Sequence, residues 1–126
     1  MSLSQFFFIV TGASIGALSR FGLGLWVTAK LGSNFAYGTW FINLIGSFVL
    51  GLFLTLHLDR GLFHPNVRYF VAVGWCASFT TYSTFSWETF RYFQEGDFMR
   101  AGLNVTLTLV GCFLASWGGV VVARLL

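Results

Sequence analysis

Four apolar runs, each about as long as a bilayer is thick, leave this chain almost no choice of architecture. They extend from Phe6 to Val27, Thr39 to Leu58, Arg68 to Phe90 and Ala101 to Leu126. About 20 apolar residues in helical form cross the ~30 Å hydrocarbon core. A backbone inside lipid must satisfy its own polar groups, and a separate helix for each run does so. The expected fold is therefore an all-α integral membrane bundle of four helices in a single domain spanning residues 1–126. Composition agrees, since only 9% of the residues are charged, against about 25% in soluble domains. The turns between runs carry Lys30, Gly32, Ser33 and Asn34, then Asp59, Arg60, Gly61 and Pro65, then Glu95, Gly96 and Asp97. No room is left for an extramembrane domain. The first run lacks a basic lead-in and a small-residue cleavage site followed by a soluble domain, so it reads as a membrane helix rather than a removable signal.

The third run is the anomalous one. Between Ser78 and Thr89 it holds seven Ser and Thr residues, concentrated in Thr80-Thr81-Tyr82-Ser83-Thr84-Phe85-Ser86. Hydroxyls crowded into an apolar span either bond one another and the carbonyl one turn back, as packing glue, or serve something that passes through. On a helix Tyr82 and Phe85 share a face at i, i+3, with Ser78 and Thr81 close to the same stripe. Two aromatics at helical spacing among so many hydroxyls favour a functional lining. The same residues make this a place where a membrane helix breaks without leaving polar groups facing lipid. A break there frees backbone N–H and C=O groups at mid-membrane, as in transporter helices that bind ions.

The other runs each contribute a polar position. Asn43 lies deep in the second, with Gly46 and Ser47 at i+3 and i+4 giving it a narrow face, and an unsatisfied amide there is costly. It is either an interhelical hydrogen-bonding residue or a donor turned towards an anion. In the first run Gly12, Gly16 and Gly24 recur at multiples of four, with Arg20 on the same stripe. Gly12 and Gly16 suit close helix contact. Arg20 either snorkels to the interface or attracts anions into a vestibule. The fourth run carries a small-residue ladder, Gly111, Ala115 and Gly119, and a weakly polar stripe, Asn104, Thr108 and Cys112. Glu88, near the end of the third run, is assigned to the vestibule with Arg20. Cys76 and Cys112 lie inside spans without ligand spacing and read as buried thiols.

Charge placement bears on topology. Four crossings put both termini and the second loop on one side with Arg60, Arg68 and Arg124, and Lys30, Arg91 and Arg100 on the other, with Arg20 added if it counts. The positive-inside rule acts on differences, and here there is almost none, so both orientations are open to the chain. The seven Lys and Arg, for a net charge of +3, are scattered and form no patch for nucleic acid.

Gly38-Thr39-Trp40-Phe41-Ile42-Asn43-Leu44-Ile45-Gly46-Ser47-Phe48 resembles the GTxxxNxxGSF segment of the Fluc-type (CrcB) fluoride ion channels of bacteria. Thr80 to Glu88 resembles that family's TTFSTFSxE segment, and Gly16-Ala17-Leu18-Ser19-Arg20 its GAxxR. The likeness covers the whole chain in length, span number and motif order. It implies an antiparallel, dual-topology homodimer in the bacterial inner membrane, with a broken third helix and two pores that export fluoride passively. By resemblance Tyr82 and Phe85 take the two aromatic-box positions and Asn43 is the pore amide. Asn104, Thr108 and Cys112 follow the polar track of the fourth helix. The break is implied to present the carbonyls of Ala77 and Thr80 to a structural sodium ion at the dimer centre. The sequence departs from the family pattern at Tyr82, where Phe is usual, at Ala77-Ser78, where Gly-Gly is usual, and at Asn104, where Tyr is frequent.

The physics suits that function. A small, strongly hydrated anion must exchange water for donors, and Asn43, Ser83, Thr84 and Thr108 offer them without the deep trap of a fixed cation. Ring edges at Tyr82 and Phe85 are positive and suit an anion path. A small dual-topology multidrug exporter would need a membrane carboxylate in the first helix, which this span lacks. A membrane assembly subunit would use its polar residues as glue alone and pass no ions. An enzyme is the least suited, because no acid, base or nucleophile constellation is within reach.

Overall fold

The computed structural model describes all 126 residues and is entirely helical. Helix α1 covers Leu3–Leu31, α2 covers Tyr37–Leu58 and α6 covers Phe98–Leu125. Each is long and apolar enough to cross a membrane. Between α2 and α6 lies the third crossing, which is not one helix. It begins as a short α3 at Pro65–Arg68, with proline in the first turn where its missing N–H costs nothing. It continues as a π-helical stretch over Tyr69–Cys76 and a last turn, α4, at Ala77–Phe79. After two extended residues it resumes as α5 at Tyr82–Gln94.

Two close packings organise the bundle. Helix α1 lies along the π-helical stretch, and α2 lies along α6. Both are made at glycines. A Cβ on Gly12 would collide with the carbonyl oxygen of Phe70, and one on Gly16 with that of Trp75. A Cβ on Gly119 would strike the carbonyl of Phe48. The small-residue ladders therefore bring backbones together within one chain. Trp40 Nε1 donates to the Leu107 carbonyl at 3.1 Å and Ser116 Oγ to that of Ser47 at 3.3 Å, tying α2 to α6 along their length.

Contacts at the two ends fix the order of crossings. Arg60 donates to the Arg124 carbonyl at 3.0 Å, and Asn66 Nδ2 to Ser4 Oγ at 3.1 Å. Both termini and the second loop thus share one end, the arrangement that four crossings require. At the other end Phe35 stacks on Tyr92 with ring centroids 6.1 Å apart. Long apolar side chains on the outer surface, among them Phe7, Leu18, Phe21, Trp26, Phe113 and Trp117, are exposed. A surface of that kind belongs against lipid or another apolar face.

Candidate functional site

The site is built around the two extended residues of the third crossing. Thr80 has φ −77° and ψ 158°, and Thr81 φ −149° and ψ 105°. Both lie in the ordinary extended region, so the chain breaks its helix without glycine and without positive φ. Ala77 and Ser78, which replace the family's Gly-Gly, stay helical or at its edge, and the break falls just after them.

Asn43 holds the break open. Its Oδ1 accepts from the Thr81 N–H at 2.8 Å, and its Nδ2 donates to the Thr81 carbonyl at 3.1 Å. A carboxamide thus pairs with both polar groups of one residue, as a neighbouring strand would. In a continuous helix the Thr81 N–H would instead bond to the Ala77 carbonyl. The next vacancy is handled by Thr81 itself, which is the N-cap of α5. Its Oγ1 accepts from the Thr84 N–H at 3.2 Å, taking the donor that the Thr80 carbonyl would have had. Both diversions leave the carbonyls of Ala77 and Thr80 without their helical partners. Gly46, one turn beyond Asn43, completes the seat: a Cβ there would run into Thr80 Cγ2.

Around this break two concavities open. The smaller, about 370 Å³, is bounded by Asn43, Thr80, Tyr82, Phe85, Thr108 and Cys112. Tyr82 and Phe85 have ring centroids 5.5 Å apart, so the aromatic pair expected from spacing is present. Their environments differ sharply: Phe85 is 6% exposed and Tyr82 76%. The larger concavity, about 530 Å³, lies towards the first and third loops, and its walls include Thr39, Thr84, Glu88, Arg91 and Arg100. Thr39 Oγ1 donates to Glu88 Oε1 at 2.9 Å, while Glu88 Oε2 is buried with no protein partner.

The remaining expected residues fall as follows. Ser83 is exposed on the first turn of α5, its Oγ 3.4 Å from Thr81 Oγ1, and the Thr81 hydroxyl donates to Thr84 Oγ1 at 2.9 Å. Asn104 is 1% exposed, and its Nδ2 donates to Thr89 Oγ1 at 2.9 Å. Thr108, one turn further, is buried with its hydroxyl unpartnered. Arg20 is half-buried on α1 and belongs to the walls of neither concavity. The basic residues at the larger one are Arg91 and Arg100. Sequence reasoning did not single out Thr39 or Thr89 as partners. Their signal was present, because each is a hydroxyl on the same face as an expected site residue, Thr39 at i−4 from Asn43 and Thr89 at i+4 from Phe85.

With the geometry in place, similarity to known proteins decides the family. The family model described as CrcB-like protein, Camphor Resistance (CrcB), matches residues 7–120. This chain belongs to the CrcB family. A CrcB relative from Sulfurihydrogenibium sp. (strain YO3AOP1), named a fluoride-specific ion channel, is 39% identical over 124 residues, covering 98% of this chain and all of the relative. Proteins of the same name from Geotalea uraniireducens (strain Rf4) and Sorangium cellulosum (strain So ce56) are 36% and 38% identical, over 94% and 97% of this chain and 96% of each relative. A CrcB chain with three apolar crossing helices and a broken third crossing between them is a multi-pass membrane protein.

Proposed function

We propose that this CrcB chain is a fluoride-selective ion channel that lets fluoride leave the cell passively across the inner membrane. The observation that carries the reading is the grouping of side-chain amide and hydroxyl donors with aromatic edges at one break inside a membrane span. Asn43, Ser83, Thr84 and Thr108 bring amide and hydroxyl groups around it, and Tyr82 and Phe85 bring rings whose edges attract an anion. These groups can exchange with a hydration shell without holding the ion fast, which conduction requires. The polar concavity with Glu88 and Arg100 forms the mouth that leads to them. The relatives named fluoride-specific ion channels match along nearly the full chain, which supports fluoride as the ion. Transport and not catalysis is its activity.

The working unit in this reading is an antiparallel homodimer seated in lipid. Nearly equal basic charge at the two ends supports insertion in both orientations. The exposed Tyr82 ring and the exposed Ala77 lie on the open side of the break, where a second copy would cover them. The released carbonyls of Ala77 and Thr80 fit the oxygen donors that a sodium ion takes, and a cation held there would offset the repulsion of those oxygens for a nearby anion. Purified protein in liposomes loaded with fluoride tests the function. Fluoride should leave when a charge-balancing ionophore is added, and chloride should stay. Efflux no faster than from empty liposomes, or equal passage of chloride, overturns the reading.

A further inference from the structure

The hydrogen bond between α5 and α6 is part of no pore wall, yet it sits one turn from the ring that is. Thr89 Oγ1 lies 2.8 Å from the Phe85 carbonyl, and a carbonyl can only accept, so the Thr89 hydroxyl spends its single hydrogen there. Its oxygen can then only accept from Asn104, which fixes the orientation of that amide with Nδ2 towards Thr89 at 2.9 Å. The chain of donation runs one way, from Asn104 through Thr89 to the backbone of Phe85. Asn104 turns its other end, the Oδ1 acceptor, into a buried position with no protein partner. It lines neither of the two main concavities, whereas Thr108, one turn along α6, lines the smaller one together with Phe85. Asn104 keeps a second Nδ2 hydrogen, but because it lines neither concavity it is not placed to offer that hydrogen to an anion there.

We infer that Asn104 is a positioning residue, which sets the register of α5 against α6 through Thr89 and so holds the Phe85 ring at the pore wall. The two helices form a hairpin across a short turn containing Gly96, at φ 74°. Thr89 and Asn104 make one layer of that hairpin, and Phe85 and Thr108 the next. Apolar ridges alone permit sliding, and one buried polar pair in an otherwise apolar contact selects a single register. In this chain Asn104 stands where the family often has tyrosine, and its amide reaches a neighbouring helix instead of reaching along the pore.

This inference rests on the channel reading, so its test has one readout that needs no flux. 4-Fluorophenylalanine placed at position 85 reports the ring's surroundings by fluorine NMR in the intact protein. Thr89→Val, which keeps shape and removes the hydroxyl, and Asn104→Leu should both shift or broaden that signal. Each should lower fluoride flux roughly tenfold, since small displacements of a positioned group cost up to about 100-fold. The double variant should be no worse than either single one, because both cut the same chain. Thr89→Ser restores the hydroxyl and should recover the signal and most of the rate. A normal ring signal and normal flux in Thr89→Val beside a dead Asn104→Leu would make Asn104 a direct pore donor and overturn the inference. Should Asn104→Leu fail to yield a stable protein, Thr89→Val against Thr89→Ser decides alone. A wild-type protein that passes no fluoride defeats the channel reading, while the ring signal still answers for the positioning chain.

Discussion

The two halves of the third crossing meet their neighbours in opposite ways. The first half, from Pro65 to Phe79, presses on α1 at Gly12, Gly16 and Gly74, where backbones touch, and its side-chain hydrogen bonds to α1, Asn66 to Ser4 and Gln5 to Tyr69, are confined to the outer end of that contact. The second half, from Tyr82 to Gln94, meets α2 and α6 through Thr39 with Glu88 and Thr89 with Asn104, with Asn43 and Thr81 at the junction. Small residues give closeness and rigidity but no chemistry. Polar pairs fix which residue faces which and keep donors in the membrane at defined places. The crossing is thus an anchored half carrying a chemically active half, and the break is where one hands over to the other. The π-helical form of Tyr69–Cys76 belongs to the anchored half, where its wider turns bring Gly74 against Ile9 and Gly12.

The largest effect should come from breaking the anchor. Gly16→Val places a branched side chain against the Trp75 backbone, which cannot yield as a flexible side chain would, at a cost of about 3 kcal/mol. Loss of a monodisperse peak in detergent is the expected outcome, and a well-behaved Gly16→Val protein would show that the α1 contact is looser than described.

Next comes the junction. Asn43→Ala leaves the Thr81 N–H and carbonyl unpaired in a buried place, at about 1–3 kcal/mol for each group. Fluoride flux should vanish or nearly so, and the melting temperature in detergent should fall. Asn43→Asp keeps an acceptor for the Thr81 N–H but loses the donor and can place a negative charge beside an anion path, so it too should lose flux. Wild-type flux from either variant would separate the clamp from conduction.

Smaller effects are expected on the active half. Phe85→Ile retains bulk and loses the ring edge, so flux should drop roughly fivefold, taking the ring interaction as about 1 kcal/mol, with stability kept. Unchanged flux would remove ring edges from the account. The smallest change should follow Tyr82→Phe, because the ring is exposed and its hydroxyl makes no hydrogen bond within the chain. Flux assays on this variant should match the wild type closely, and a dead channel would mean that the hydroxyl acquires a partner in the assembled protein.

Much of this was legible in the residues. Run lengths determined four crossings, because lipid admits few ways to satisfy a backbone. The density of hydroxyls in one run marked where a helix could break, and the Asn43 to Gly46 spacing marked a narrow polar face. The segments Gly38 to Phe48 and Thr80 to Glu88 marked the family.

What the sequence could not settle was which of two uses each polar group would have, since that depends on a partner distant along the chain. Asn43 has Thr81 as its partner and also borders the smaller concavity, and its spacing within α2 gave neither neighbour. The glycine ladders announced close contact, but only the packing showed that Gly12 meets Phe70 and Gly119 meets Phe48 inside one chain. Asn104 looked like one more member of a polar stripe at i, i+4, i+8. The stripe placed it on a face of α6, a matter of local periodicity. Its partner Thr89 came from the register of a helical hairpin, which side-chain fit between two helices decides and which no spacing within either helix contains.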